Sequence, residues 1–215
     1  MNLPVILTIL AAYVAGATPF GFLVAKSRGI DIRKHGSGNI GATNVLRTLG
    51  KPLGVFTLIL DVLKGYLPVW LGTLFLKSHV SAELLPVVTV LLGLATILGH
   101  NYTFWLNFKG GKGIATSAGA LLAIMPLTLL IGLIVWLILF YTTRYVAVAS
   151  IAAACTIPVA VTIVTLIRDG AINIPFLVLG LLIAFFGVWR HRSNIANLRA
   201  GTEHRFTKKE KPKIS

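Results

Sequence analysis

A chain of 215 residues that is 56% hydrophobic and only 12% charged is too apolar for a water-soluble domain and predicts one compact bundle of helices in lipid. Its formal charge of +14 would suit nucleic acid in a soluble protein, but its Lys and Arg residues lie in short stretches between apolar runs. There they orient spans and attract anionic head groups or anionic substrates, which removes nucleic acid from the expected partners. The lone Cys155, inside an apolar run, has no internal disulfide partner and reads as a space-filling residue, not a reactive one.

The first predicted element, Leu3 to Val24, is long enough to cross a bilayer core. It lacks the basic start of a signal peptide and exceeds one in length, so it reads as a retained span. A polar stretch follows, Gly36-Ser37-Gly38-Asn39-Ile40-Gly41-Ala42-Thr43-Asn44, with Arg33 and Lys34 before it and Arg47 after it. Its three outer glycines, Gly36, Gly38 and Gly41, let backbone N–H groups converge, and Thr43 or Asn44 can cap a following helix whose positive end favours phosphate. Arg47 stands one helical turn on, where a guanidinium can hold two phosphate oxygens. An ordinary inter-helix loop would also use glycine, serine and asparagine.

The second span, Leu53 to Leu76, carries Asp61 and Lys64 three residues apart, deep enough that they are expected to pair with each other. The third runs from Leu84 to about Leu106, with His100 as a hydrogen-bonding group near its end. Beyond it lies a second glycine-basic loop, Lys109-Gly110-Gly111-Lys112-Gly113. Two such loops on one membrane side can converge on one anionic ligand, although the lysines of this one could serve topology alone. It is no nucleotide-binding P-loop, since no glycine stands five residues before Gly111 and Gly113 follows Lys112 in place of Ser or Thr.

The fourth apolar segment, Ile114 to Tyr141, is 28 residues long and contains Pro126. It is one kinked helix or two short passes meeting at the proline. Tyr145 to Ile167 and Ile172 to Trp189 complete the spans, and Arg190-His191-Arg192-Ser193-Asn194 follows the last. His191 and Asn194 would share a face if helix continued there, and His191 could also move a proton; a stop-transfer cluster anchored by Trp189 is the other reading.

Charge bias favours two passes. With the N-terminus outside and seven spans, 17 of the 20 Lys and Arg are cytoplasmic, leaving Lys77 and Arg168 outside and Lys64 in the membrane. The fold class expected is therefore an all-α polytopic bundle with a cytoplasmic C-terminus, residues 1–206 forming one transmembrane domain and 207–215 a basic tail. Ile114 to Met125, only 12 residues, would have to be a short helix shielded by protein.

Familiar chemistries are missing. No Cys or carboxylate cluster accompanies the scattered histidines, so no protein-held metal is expected. No His is followed by Asp five positions later, and Ser37 lacks both the Gly-x-Ser-x-Gly spacing and an acidic neighbour to orient a base. A transporter of phosphorylated small molecules is the alternative, but the inverted repeats expected of one are not found.

GIDIRKHGSGNIGATNVLRTLGK at 29–51, GHNYTFWLNFKGGKGIATS at 99–117 and HRSNIANLRAGTEHR at 191–205 closely resemble the bacterial acyl-phosphate:glycerol-3-phosphate acyltransferases. LDVLKGYLP at 60–68 and TRYVAVASI at 143–151 extend the resemblance nearly end to end. It implies a seven-span enzyme of the bacterial cytoplasmic membrane, active at the cytoplasmic face, that moves a fatty acyl group from acyl phosphate to the 1-hydroxyl of glycerol 3-phosphate. Lysophosphatidic acid and phosphate are the implied products, with no cofactor, no acyl coenzyme A and no obligate protein partner. On that pattern Ser37 and Arg47 are essential, Gly110, Gly111 and Gly113 bind glycerol phosphate, His191 and Asn194 are catalytic and Glu203 is structural. Lys109 and Lys112 are the natural phosphate ligands beside the first loop's Gly36, Gly38, Asn39, Gly41, Thr43 and Asn44. Tyr102-Thr103 departs from the family's common Phe-Pro step.

Overall fold

The computed structural model describes residues 2–206, so the basic tail expected at 207–215 lies outside the described residues. Ten α-helices are described: α1 (Leu3–Ala17), α2 (Phe20–Lys26), α3 (Ala42–Leu49), α4 (Lys51–Leu76), α5 (Leu85–Asn101), α6 (Ile114–Ile124), α7 (Pro126–Thr143), α8 (Val146–Asp169), α9 (Ile174–Arg190) and α10 (Arg192–Arg199). Short 3-10 turns cover Ile32–Lys34 and Phe104–Leu106. These elements fall into two compact units, 2–123 and 124–206.

Among the described residues, five helical stretches are long and apolar enough to cross a membrane, and a sixth results if the bent pair α9 and α10 counts as one. Leu, Ile, Val and Phe side chains stand exposed along them, as lipid-facing surfaces require. The chain is an integral membrane protein. The segment containing Pro126 does divide: Met125 adopts φ −145° and ψ 72°, because a residue before proline is driven out of the α region, and Pro126 opens α7 where its missing N–H is harmless. The short helix α6 is shielded within its unit, with Thr116, Ser117, Gly119, Ala120 and Leu121 buried.

The first span expected over Leu3 to Val24 is present as Leu3–Lys26, with its helix interrupted at Thr18-Pro19 between α1 and α2. A break within lipid leaves carbonyls that must be satisfied by protein. Thr103 Oγ1 donates to Ala17 O, and Lys64 Nζ donates to Thr18 O at 2.8 Å. Lys64 Nζ also lies 2.8 Å from Asp61 Oδ1, forming the pair that their spacing predicts. Both side chains are almost wholly buried, so the ammonium joins the second span to the break in the first.

Removing one partner of such a pair strands the other charge, whereas removing both does not. Lys64→Met is expected to lower stability by about 3–5 kcal/mol, and Asp61→Leu/Lys64→Met to recover most of it. Thermal unfolding of the purified variants in one detergent checks both.

Close backbone approach holds the first unit together. A methyl on Gly16 of α1 would strike the Thr96 backbone of α5, and one on Gly119 of α6 would strike the Val62 and Tyr66 backbone of α4. In the second unit α8 packs between α7 and α9, with Trp136 Nε1 donating to Ser150 Oγ at 3.1 Å. Cys155 is exposed on α8 and does not fill the interior as expected, since an apolar run has both a packed and a lipid-facing side.

Candidate functional site

The first glycine loop lies in the first unit between α2 and α3. Gly36 and Gly38 have φ of +56° and +68°, in the left-handed region that glycine enters without strain. Asn44 organises what surrounds them. It is buried, and its Nδ2 donates to Ile32 O at 3.3 Å, His35 O at 3.0 Å and Asn39 O at 2.8 Å, while its Oδ1 accepts from Ser37 N–H at 2.9 Å. The helix starts at Ala42 with Gly41 as its N-cap, and Gly41 N–H donates to Asn39 Oδ1 at 2.8 Å. Thr43 and Asn44 therefore sit inside the first turn and do not cap it, contrary to expectation.

This geometry narrows what the loop offers an anion. The N–H groups of Ser37 and Gly41 are engaged by side chains, and Gly38 N–H donates to His35 O at 3.0 Å. Those amides do not converge outward, which leaves the exposed Ser37 side chain and Arg47, in the last turn of α3, as the groups to consider. Arg33 is otherwise employed: its Nε and Nη2 donate to the two Asp31 carboxylate oxygens at 2.9 and 2.8 Å, and its guanidinium stands 4.9 Å from the centre of the Phe22 ring. Those side-chain bonds lower the Asp31 carboxyl to about 2, so the clasp survives moderate acid.

The second loop reaches the same end of the unit. Leu106 packs into an apolar cluster with Val24, Ala25, Ile32, Ile40 and Val45, which ties the loop after α5 to the loop before α3. Asn107 and Phe108 have φ of 52° and 60°, a costly conformation for a bulky residue such as Phe108. Gly110 N–H donates to Asn101 O at 3.2 Å and Gly111 N–H to His100 O at 3.0 Å. Lys109 is exposed and Lys112 half-buried. His100 ends α5 as expected and has its Nδ1 3.8 Å from Asp61 Oδ1.

The third motif belongs to the second unit. Helix does not run straight through it: α9 and α10 meet at His191 with a 52° bend. His191 Nδ1 lies 2.7 Å from Gly187 O. A carbonyl only accepts, so Nδ1 carries a proton in this contact. Asn194, also buried, donates from Nδ2 to Glu203 Oε1 at 2.8 Å.

The profile of a family described as Glycerol-3-phosphate acyltransferase matches residues 6–201. The chain belongs to the glycerol-3-phosphate acyltransferase family. A glycerol-3-phosphate acyltransferase of Desulforamulus reducens is 42% identical over 211 residues, covering 98% of this chain and 99% of that one. One from Geotalea daltonii is 44% identical over 201 residues, covering 94% and 97%. The crystal structure of PlsY (YgiH), an integral membrane glycerol 3-phosphate acyltransferase in its glycerol 3-phosphate form, is similar with a TM-score of 0.82 and 38% identity. That match covers 94% of this chain and 96% of PlsY, and PlsY in its lysophosphatidic acid form matches at a TM-score of 0.80. Membership of the acyltransferase family sets the transporter alternative aside.

Sequence reasoning in this acyltransferase missed Asn101 and Leu106, which join the loops to their supports. Both stand beside residues that drew attention, and neither carries charge. Glu203, in contrast, has a defined contact. Glu203→Gln keeps the oxygen that accepts from Asn194 and is expected to stay near wild-type stability, while Glu203→Ala is expected to lose about 1–3 kcal/mol by removing that acceptor from a buried amide. Thermal unfolding with an activity assay on both variants separates support from chemistry.

Proposed function

We propose that the chain transfers a fatty acyl group from acyl phosphate to the 1-hydroxyl of glycerol 3-phosphate, giving lysophosphatidic acid and inorganic phosphate at the start of phospholipid synthesis. The observation that carries this reading is the joining of two glycine-basic loops through Leu106 in a member of the acyltransferase family. The glycerol 3-phosphate and lysophosphatidic acid forms of PlsY support the acceptor and product.

An acyl phosphate is a mixed anhydride that arrives activated. The substrate hydroxyl oxygen forms a bond to the carbonyl carbon, the bond from that carbon to the phosphate oxygen breaks, and phosphate leaves with the electron pair. What the protein must do is hold two phosphates, align the hydroxyl and balance charge, for which Arg47, Lys109, Lys112 and the Ser37 hydroxyl are suited. The hydroxyl proton goes to a phosphate oxygen of the substrate or to His191, whose ring is held at Nδ1 by Gly187 O. Asn194, held by Glu203, is the partner proposed to orient a polar substrate group.

The topology that goes with this reading has seven passes, α6 being the short fourth. Its N-terminus is outside, its C-terminus cytoplasmic, and its active site faces the cytoplasm of a bacterial inner membrane, with residues 1–206 taken as one transmembrane acyltransferase domain. The acyl chain lies against apolar helix surface open to lipid, and neither cofactor nor protein partner is required. Purified protein given labelled glycerol 3-phosphate and palmitoyl phosphate should form labelled lysophosphatidic acid with one phosphate released per product. Uptake of glycerol 3-phosphate into vesicles without acyl transfer would refute the proposal.

A further inference from the structure

The end of α5 supplies more than a boundary to the second loop. Its last two carbonyls, on His100 and Asn101, accept from Gly111 and Gly110 N–H, so the loop is bonded back onto the helix that precedes it. The side chains of the same two residues occupy the remaining space. A Cβ on Gly111 would coincide with the His100 imidazole at Nε2, and one on Gly113 would lie 2.6 Å from Asn101 Oδ1. Gly113 also has φ +84°. Both side chains are buried, and neither polar atom of the Asn101 side chain has a hydrogen-bond partner among the described residues. A buried amide in that state is costly, and its presence calls for a reason.

On its other edge, His100 Nδ1 faces Asp61 Oδ1 at 3.8 Å, and Asp61 is held by Lys64, which caps the broken first span at Thr18 O. One continuous series of contacts therefore runs from the break in the first span, through the buried ion pair and the imidazole, to Gly111. With the Gly110 and Gly111 amides engaged by α5, the loop can meet a phosphate through Lys109 and Lys112, and their placement depends on where the glycine backbone rests.

We propose that His100 and Asn101 are positioning residues for the glycine loop, a buttress aligned by Asp61 that fixes the backbone from Gly110 to Gly113 and so places Lys109 and Lys112 against substrate phosphate. This rests on the acyltransferase reading for its consequence, but the buttress is measurable without it. The experiment pairs hydrogen exchange of the 108–114 segment with acyl-transfer kinetics for wild type, His100→Ala, Gly111→Ala and His100→Ala/Gly111→Ala. Both single variants should speed exchange at residues 110 and 111 by about tenfold or more while α8 stays protected. Each should lower kcat/KM for glycerol 3-phosphate by about 10–100-fold, mainly through KM.

Because the imidazole and the added methyl compete for one space, the double variant should be no worse than the poorer single variant. A general loss of folding would not produce that mutual compensation. Unchanged exchange in His100→Ala, or losses that multiply in the double variant, would overturn the buttress. Should His100→Ala fail to accumulate as folded protein, Gly111→Ala carries the exchange test from the loop side with the same two outcomes. If the wild-type protein transfers no acyl group, the proposed function fails, while the exchange measurements still decide the buttress.

Discussion

Arg47→Ala is expected to lower kcat/KM for glycerol 3-phosphate by about 10²–10³-fold, the loss typical of removing one preorganised charged donor from a reacting anion. Three observations converge on that size. The first loop's amides at Ser37, Gly38 and Gly41 are bonded internally, so they do not substitute for a lost cation. Arg33, the other guanidinium nearby, is held by Asp31 and Phe22. Arg47 itself sits in the last turn of a helix that Asn44 fastens to the loop, so its base is rigid. Arg47→Lys should recover only a small part of the loss, because an ammonium carries the charge without the planar fork. Steady-state kinetics with varied glycerol 3-phosphate, beside thermal unfolding in the same detergent, checks both variants.

A second large effect is expected at Asn44, for a different reason. Its side chain serves four backbone groups across residues 32–39, and deleting it would take the asparagine partner from Ser37 N–H and Asn39 O and one of two donors from Ile32 O and His35 O. The two amide hydrogens shared among three carbonyls and the one accepted N–H amount to three full bonds of about 1 kcal/mol each, so Asn44→Ala is expected to destabilise the protein by about 3 kcal/mol and to abolish most activity by releasing Ser37 and the glycines. Asn44→Asp should be at least as harmful, because a carboxylate cannot donate to three carbonyls and would repel them. A merely space-filling role would instead make the near-isosteric Asp the milder change. Thermal unfolding of the two variants side by side distinguishes these results.

Much of the fold was legible because bilayer length and charge placement are strong constraints. The division at Pro126 followed from a run too long for one straight pass, a proline within it and the bias of Lys and Arg. The Asp61–Lys64 pair followed from a three-residue spacing in lipid. The break at Thr18-Pro19 was hidden because apolar residues continue to Val24 on both sides of it, and the groups that make it tolerable, Thr103 and Lys64, are distant in sequence. Cys155 was misplaced for a related reason: in a membrane protein the packed and lipid-facing surfaces are both apolar, so hydropathy does not separate them.

The motifs themselves were legible as residue types and less so as geometry. An asparagine at the start of a helix reads as a cap, whereas Asn44 reaches back to acceptors five to twelve residues upstream. Glycine-rich loops read as nests of N–H groups, yet several of these amides are bonded to their own loop or to α5. His191 and Asn194 were expected along one helical face, while the chain turns by 52° at His191 and gives each residue its own anchor, Gly187 O and Glu203.

Acyl transfer by the purified protein, with labelled glycerol 3-phosphate and palmitoyl phosphate, palmitoyl coenzyme A or palmitoyl carrier protein supplied separately, tests the central claim most directly. Labelled lysophosphatidic acid with the phosphate donor alone is the predicted result, since it joins donor, acceptor and a reaction without added cofactor. Product formed only from a thioester would contradict it, because the two loops would then be holding a different donor.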